Sequence, residues 1–234
     1  FFFVQYCRPL PVGSIMLAFC VLPLLFSDIS HRFPYLLLSL FFLQSFQPTG
    51  AQYGFLVVMF VLYGAGMGYF AGIQPVSAWR YFSWHPFLMT IGMIALPGIA
   101  TVTKKKGGYV NTKIHGILSW LGIFCTLGGY YVIYQNKEMN GAPHLTTPHA
   151  WAGIFVMGNM CMFGTVGGVL LHPDFGMAKT NQTYRLAHKL GGRVVLIIAW
   201  FTAVMGLNTL VGNDYPKLLT YAAPLVCLVP YSLM

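Results

Sequence analysis

Six apolar runs, each long enough to cross a bilayer, occupy the chain from residue 53 to its end: 53–75, 83–102, 110–134, 148–171, 186–210 and 217–234. A hydrocarbon core about 30 Å thick takes roughly 20 helical residues to cross. It offers no water to backbone N–H and C=O groups, so runs of this length fold as helices whose backbones are satisfied internally. The 234 residues are 57% hydrophobic and 7% charged, against roughly 25% charged in a soluble domain. So few charges cannot cover a water-facing surface, and lipid is the solvent for most of the chain. The pattern predicts an all-α membrane protein, a six-helix transmembrane bundle with short loops over 51–234.

Two shorter apolar runs come first, 10–27 and 33–46, separated by Asp28, His31, Arg32 and Pro34. Residues 1–50 are therefore expected to form an extra N-terminal apolar segment. The run 10–27 reads equally as the hydrophobic region of a signal or transit segment and as an added membrane helix. Five cysteines (Cys7, Cys20, Cys125, Cys161 and Cys227) are scattered through apolar segments with no CxxC pair. They read as buried thiols. In the first long run, Gly64, Gly68 and Gly72 recur at intervals of four, which lines up a groove for close approach of another helix.

The net charge of +9 comes from 13 Lys and Arg against 4 acidic residues. The basic residues sit in the breaks between apolar runs and form no stripe for nucleic acid. Lys104, Lys105, Lys106 and Lys113 lie between runs two and three. Lys179, Arg185 and Lys189 lie between runs four and five, with Arg193 just inside run five. The opposite breaks hold Arg80, Lys137 with Glu138, and Lys217 with Asp214. This bias turns the 2–3 and 4–5 loops toward the positive-inside compartment, the cytosol or the equivalent side of an organelle. A multi-pass protein of an endomembrane or organelle is the expectation.

Ionisable residues inside membrane spans are rare and usually functional. Four of the seven histidines share one address, the start of an apolar run: His85 in FSWHPFLM, His115 in NTKIHGIL, His149 in TTPHAWAG and His188 in YRLAHKLGG. Consecutive helices alternate in direction. His85 and His149 therefore meet near the outer face, and His115 and His188 near the inner face. One pair of imidazoles on each side suits two bis-histidine b haems, six-coordinate centres that pass electrons without binding oxygen. With each ligand about one turn inside, roughly 5 Å, and a core about 30 Å thick, the two irons would lie on the order of 20 Å apart. A wide, flat porphyrin also needs small neighbours. Gly116, Gly153, Gly191 and Gly192 lie within about one turn of a ligand, and Trp84 adjoins His85. Pro86 and Pro148 suit first-turn positions, where a missing N–H costs nothing. Zinc would draw its ligands to one point with Cys or carboxylate support, and no Asp or Glu accompanies these histidines.

From about 82 to 210 the chain resembles the cytochrome b561 family of transmembrane, ascorbate-linked electron carriers. FSWHPFLM, KIHG, the stretch NKEMNGAPHLTTPHAWAG from Asn136, and YRLAH are similar to the family's four ligand segments. The short loops and the LHPDFG break look closest to its compact branch without a DOMON domain. The resemblance implies a six-helix bundle with haems among the central four helices and the same four ligands. It implies electron entry from ascorbate on the positive-inside face and exit to monodehydroascorbate or ferric chelates on the other. Lys113 and Arg185 occupy places matching the basic residues of the family's inner site, with Lys105 and Lys106 beside them. An anionic donor needs cations at a haem edge. His144 occupies the place of the outer-site histidine, where an imidazole can take up a proton. A homodimer is a further expectation from the compact branch.

The expected function is transmembrane electron transfer through two haems b, making the chain an oxidoreductase of the ferric or monodehydroascorbate reductase type. The rival is a haem-bearing accessory subunit of a larger membrane complex, which the N-terminal segment and sparsely charged loops would suit. A proton or metal transporter using the same histidines would call for acidic residues within the spans. Glu138 and the three aspartates all lie in loops or breaks.

Overall fold

The computed structural model describes residues 47–212 and 214–233, so the N-terminal segment lies outside the described residues apart from 47–50. Six helices follow one another, and no strand occurs among the described residues. They are α1 (Gly50–Ile73), α2 (Tyr81–Lys105), α3 (Tyr109–Met139), α4 (Pro148–Leu171), α5 (Gln182–Val211) and α6 (Tyr215–Leu233). The first five are long and apolar enough to span a bilayer. The sixth falls short of that standard: its 19 residues include Lys217 near the start and two internal prolines, Pro224 and Pro230.

Several helices outrun the apolar runs that announced them. α3 has 31 residues and α5 has 30. At 1.5 Å per residue each is roughly 45 Å long, well beyond the hydrocarbon core. The additions are polar ends such as Gln135–Lys137 and Gln182–Arg185, which stay helical at the membrane interface.

Local chemistry fixes the ends. Thr49 and Gln52 form a capping box at the start of α1, with N–H···O distances of 3.0 and 3.3 Å. Gly107 and Gly108 turn the chain from α2 into α3 with φ of +74° and +83°, a region that favours glycine. Thr147 caps α4, with Pro148 in the first turn. The Asn181 side chain accepts from the N–H groups of Thr183 and Tyr184 to start α5.

α2 is not regular. It opens with a 3₁₀ turn, Tyr81–Ser83, and widens into a π turn at Ile91–Ala95 before resuming as α-helix at Leu96. Pro97 supplies the reason, since it lacks the N–H that would bond back to Met93 and its ring crowds that carbonyl.

The glycine groove of α1 packs against α2. A Cβ at Gly64 would stand 2.6 Å from the Cβ of Ala95, and one at Gly68 would stand 2.3 Å from Thr90 Oγ1. The approach lets Thr90 Oγ1 donate to Gly64 O at 2.8 Å and Ser83 Oγ to Gly72 O at 2.6 Å. Phe60, Ile94, Val102, Val156 and Trp200, from α1, α2, α4 and α5, share one buried core with Leu225 of α6.

α2 and α3 approach closely at Gly92, whose Cβ would lie 2.5 Å from Thr126 Oγ1 and 2.7 Å from Thr126 N. Gly92→Ala is therefore expected to destabilise the bundle by about 1–3 kcal/mol, the usual range for overpacking. A Tm several degrees lower in detergent would register it. Gly66→Ala, where an added Cβ meets nothing within 4 Å, should leave Tm unchanged or higher.

Candidate functional site

Four consecutive helices each carry a histidine in their first two turns, at His85 (α2), His115 (α3), His149 (α4) and His188 (α5). Three of them reach across to the far end of a neighbouring helix. His85 Nδ1 lies 2.9 Å from Gly129 O, His115 Nδ1 3.0 Å from Ala100 O, and His149 Nδ1 2.9 Å from Thr202 O. The start of α2 thus touches the end of α3, and the start of α4 touches the end of α5, as antiparallel neighbours must. A carbonyl only accepts, so each Nδ1 carries a proton, and in the neutral imidazole that leaves the lone pair on Nε2.

At the end marked by the α2–α3 loop, His115 and His188 stand side by side. Their ring centres are 6.4 Å apart and their planes 85° apart. His188 Nδ1 is buried and has no hydrogen-bond partner among the described residues. His85 and His149 lie within electrostatic reach of each other at the other end. Among the described residues no three His, Cys, Asp or Glu side chains converge on one point. The chain offers pairs of imidazoles.

Open space adjoins three of the glycines singled out from the sequence. A Cβ at Gly116, Gly153 or Gly192 would meet nothing within 4 Å. Gly191 instead seats Phe163, whose Cζ would lie 2.1 Å from an added Cβ. The Phe163 ring sits 5.7 Å from that of His188. Trp84 lies edge-on to Trp79 and Phe87, at 5.2 and 6.1 Å. Two glycines that the sequence did not mark touch the imidazoles themselves. A Cβ at Gly167 of α4 would fall 2.8 Å from His188 Cε1, and one at Gly206 of α5 2.9 Å from His149 Cε1.

The basic residues divide by what they touch. Lys113 Nζ is 2.9 Å from Asp174 Oδ2 and 3.3 Å from the Tyr109 hydroxyl. Lys104 donates to Thr112 Oγ1 and lies within electrostatic reach of His115, His188 and Arg185. Lys105 donates to Tyr231 O on α6 and lies within electrostatic reach of Arg193 and Lys189. Lys106 sits over the Tyr53 ring of α1, 4.3 Å from its centre. Arg185 is exposed. A cluster of cations thus surrounds the end of the bundle that holds His115 and His188. At the opposite end, His144 Nε2 is 2.7 Å from Glu138 Oε1, and its ring stacks on Tyr134 at 4.6 Å.

Residues 84–212 match the eukaryotic cytochrome b561 family, a stretch that holds all four histidines. The chain belongs to that family. Membership makes a b-type haem its cofactor. Three relatives are similar at modest identity. The transmembrane reductase CYB561D2 of Mus musculus is 27% identical over 160 residues, 64% of this chain and 71% of the mouse protein. The transmembrane ascorbate-dependent reductase CYB561 of Bos taurus is 24% identical over 157 residues, 65% of this chain and 62% of the bovine protein. Its counterpart in Sus scrofa is 29% identical over 151 residues, 62% of this chain and 59% of the pig protein. The chain therefore spans about three fifths of the length of the two ascorbate-dependent relatives.

Proposed function

We propose that this chain moves single electrons across a membrane through two b haems, one held by His115 and His188 and the other by His85 and His149, taking electrons from ascorbate. The spacing of His115 and His188 carries the reading. A metal–imidazole bond is about 2 Å. With about 1 Å from nitrogen to ring centre on each side, two imidazoles flanking one metal have centres roughly 6 Å apart, close to the 6.4 Å seen here. Three of the four imidazoles are oriented by a carbonyl on Nδ1, the second-shell contact that fixes a metal-ligating histidine. The open space beside Gly116, Gly153 and Gly192 suits a flat macrocycle.

A haem bound by two imidazoles supplies a one-electron couple with no position open to oxygen. The chain's own residues supply the rest. The α4 and α5 glycines set the imidazoles close to their neighbouring helices. Lys104, Lys105 and Arg185 raise the local concentration of an anionic donor, and ascorbate is an anion at neutral pH. The bovine and pig relatives are named as ascorbate-dependent. At the other end His144, 2.7 Å from Glu138 Oε1, would give or take a proton as monodehydroascorbate is reduced. A ferric chelate is the alternative acceptor.

Vesicles loaded with ascorbate and bathed in a ferric chelate test the proposal. The haem-loaded chain should carry electrons outward well above protein-free vesicles. Arg185→Gln should raise the apparent KM for ascorbate about tenfold, the worth of one charge-assisted hydrogen bond, with little change in kcat. Haem-loaded vesicles that conduct no better than empty ones would sink it.

A further inference from the structure

The α4–α5 loop is a built turn. Gly176 N donates to His172 O at 2.9 Å, Met177 N to Val169 O at 3.1 Å and Ala178 N to Leu170 O at 2.9 Å. Lys179 Nζ reaches the carbonyls of Pro173 and Asp174 at 3.1 and 3.2 Å, and Asp174 N donates to His172 Nδ1 at 3.2 Å. The turn aims the Asp174 carboxylate at the first turns of α3. Oδ1 accepts from the Tyr109 hydroxyl, and Oδ2 pairs with Lys113. Hydrogen bonds from Tyr109 and then Lys113 hold the Asp174 carboxyl below its ordinary value, so it is charged at neutral pH. Both partners of the ion pair remain open to water, at 40% and 39% exposure. Asp174 is the one acidic residue in the loops 106–108 and 172–181.

We propose that Asp174 sets the donor affinity of this face by masking the Lys113 ammonium, so that an anionic donor meets a neutral pair where it would otherwise meet a free cation. The proposal rests on the reading of this end as the donor face. An ammonium 2.9 Å from a carboxylate presents a dipole, whose field fades faster with distance than that of a single charge. An arriving anion must displace the carboxylate or bind against the pair. Asp174 touches no reacting atom and is a positioning residue that tunes specificity through Lys113.

Stopped-flow reduction of the haem-loaded, full-length chain tests this, with wild type, Asp174→Asn, Lys113→Gln and the double variant compared. The reductants are ascorbate, the anionic reductant dithionite and a neutral hydroquinone. Asp174→Asn should speed reduction by both anions about three- to tenfold at low concentration, the effect of one unmasked charge at partly screened range. The neutral donor should change less than about twofold. Lys113→Gln leaves the Asp174 carboxylate unpaired and should slow both anions, and the double variant, again without net charge at this pair, should return close to wild type. A merely structural role would move all three donors together. Such a common shift, a double variant as fast as Asp174→Asn alone, or slower reduction of Asp174→Asn by anions would overturn the proposal. Failure of ascorbate alone, with the dithionite pattern intact, would remove the donor named above and leave the role of Asp174 standing.

Discussion

Replacing His188 with alanine is expected to remove one haem and spare the other, so that haem content falls from two per chain to one. His188 and His115 face each other at one end of the bundle, with ring centres 6.4 Å apart. His85 and His149 are anchored at the other end, on Gly129 and Thr202. α5 links the two ends: it bears His188, and Thr202, which touches His149, follows 14 residues later. That is roughly 20 Å at 1.5 Å per residue, beyond the range at which substitutions usually couple. His115→Ala should therefore reproduce the spectrum of His188→Ala. His85→Ala and His149→Ala should reproduce each other and remove the complementary haem. Pyridine-haemochrome content and a redox titration read this directly, since one of two midpoints should vanish. Loss of both haems from a single substitution would break the pairing.

Gly167→Val is expected to give nearly the same loss without touching a ligand. A single added carbon at Gly167 would already stand 2.8 Å from His188 Cε1, and the two methyl groups of valine force the ring to swing. Gly206→Val should do the same to His149, where the distance is 2.9 Å. Displacing a metal ligand through its surroundings costs about 10- to 100-fold in metal affinity. Each variant should therefore lose haem from its own pair on dilution or gel filtration and retain the other. Equal retention of both haems would mean that the glycines do not govern the ligand positions.

Much of this architecture is legible in the chain because lipid leaves few options. Runs of apolar residues must be helices, and alternation puts the starts of α3 and α5 on one side. The same alternation puts His115 beside His188, where their ring centres stand 6.4 Å apart. It fails where contacts depend on packing between distant segments. Gly167 and Gly206 lie 21 and 57 residues from the imidazoles they admit. Only the register of α4 against α5 brings them there. Spacing alone does not show that Gly191, about one turn from His188, seats the Phe163 ring. The π turn in α2 was implicit in Pro97, but a run of apolar letters does not show how a helix absorbs a proline. The lysines were visible as a cluster, whereas their separate fates were not. Lys105 is tied to α6, Lys106 to the Tyr53 ring and Lys113 to Asp174. Long side chains choose partners by tertiary geometry.

The central claim is that four imidazoles hold two b haems, and haem stoichiometry combined with electron paramagnetic resonance of the oxidised, purified chain tests it most directly. Two b haems per chain, both low-spin, are expected when each iron carries two imidazoles. A ratio of one or none, or a dominant high-spin ferric signal from an iron with an open position, would contradict it.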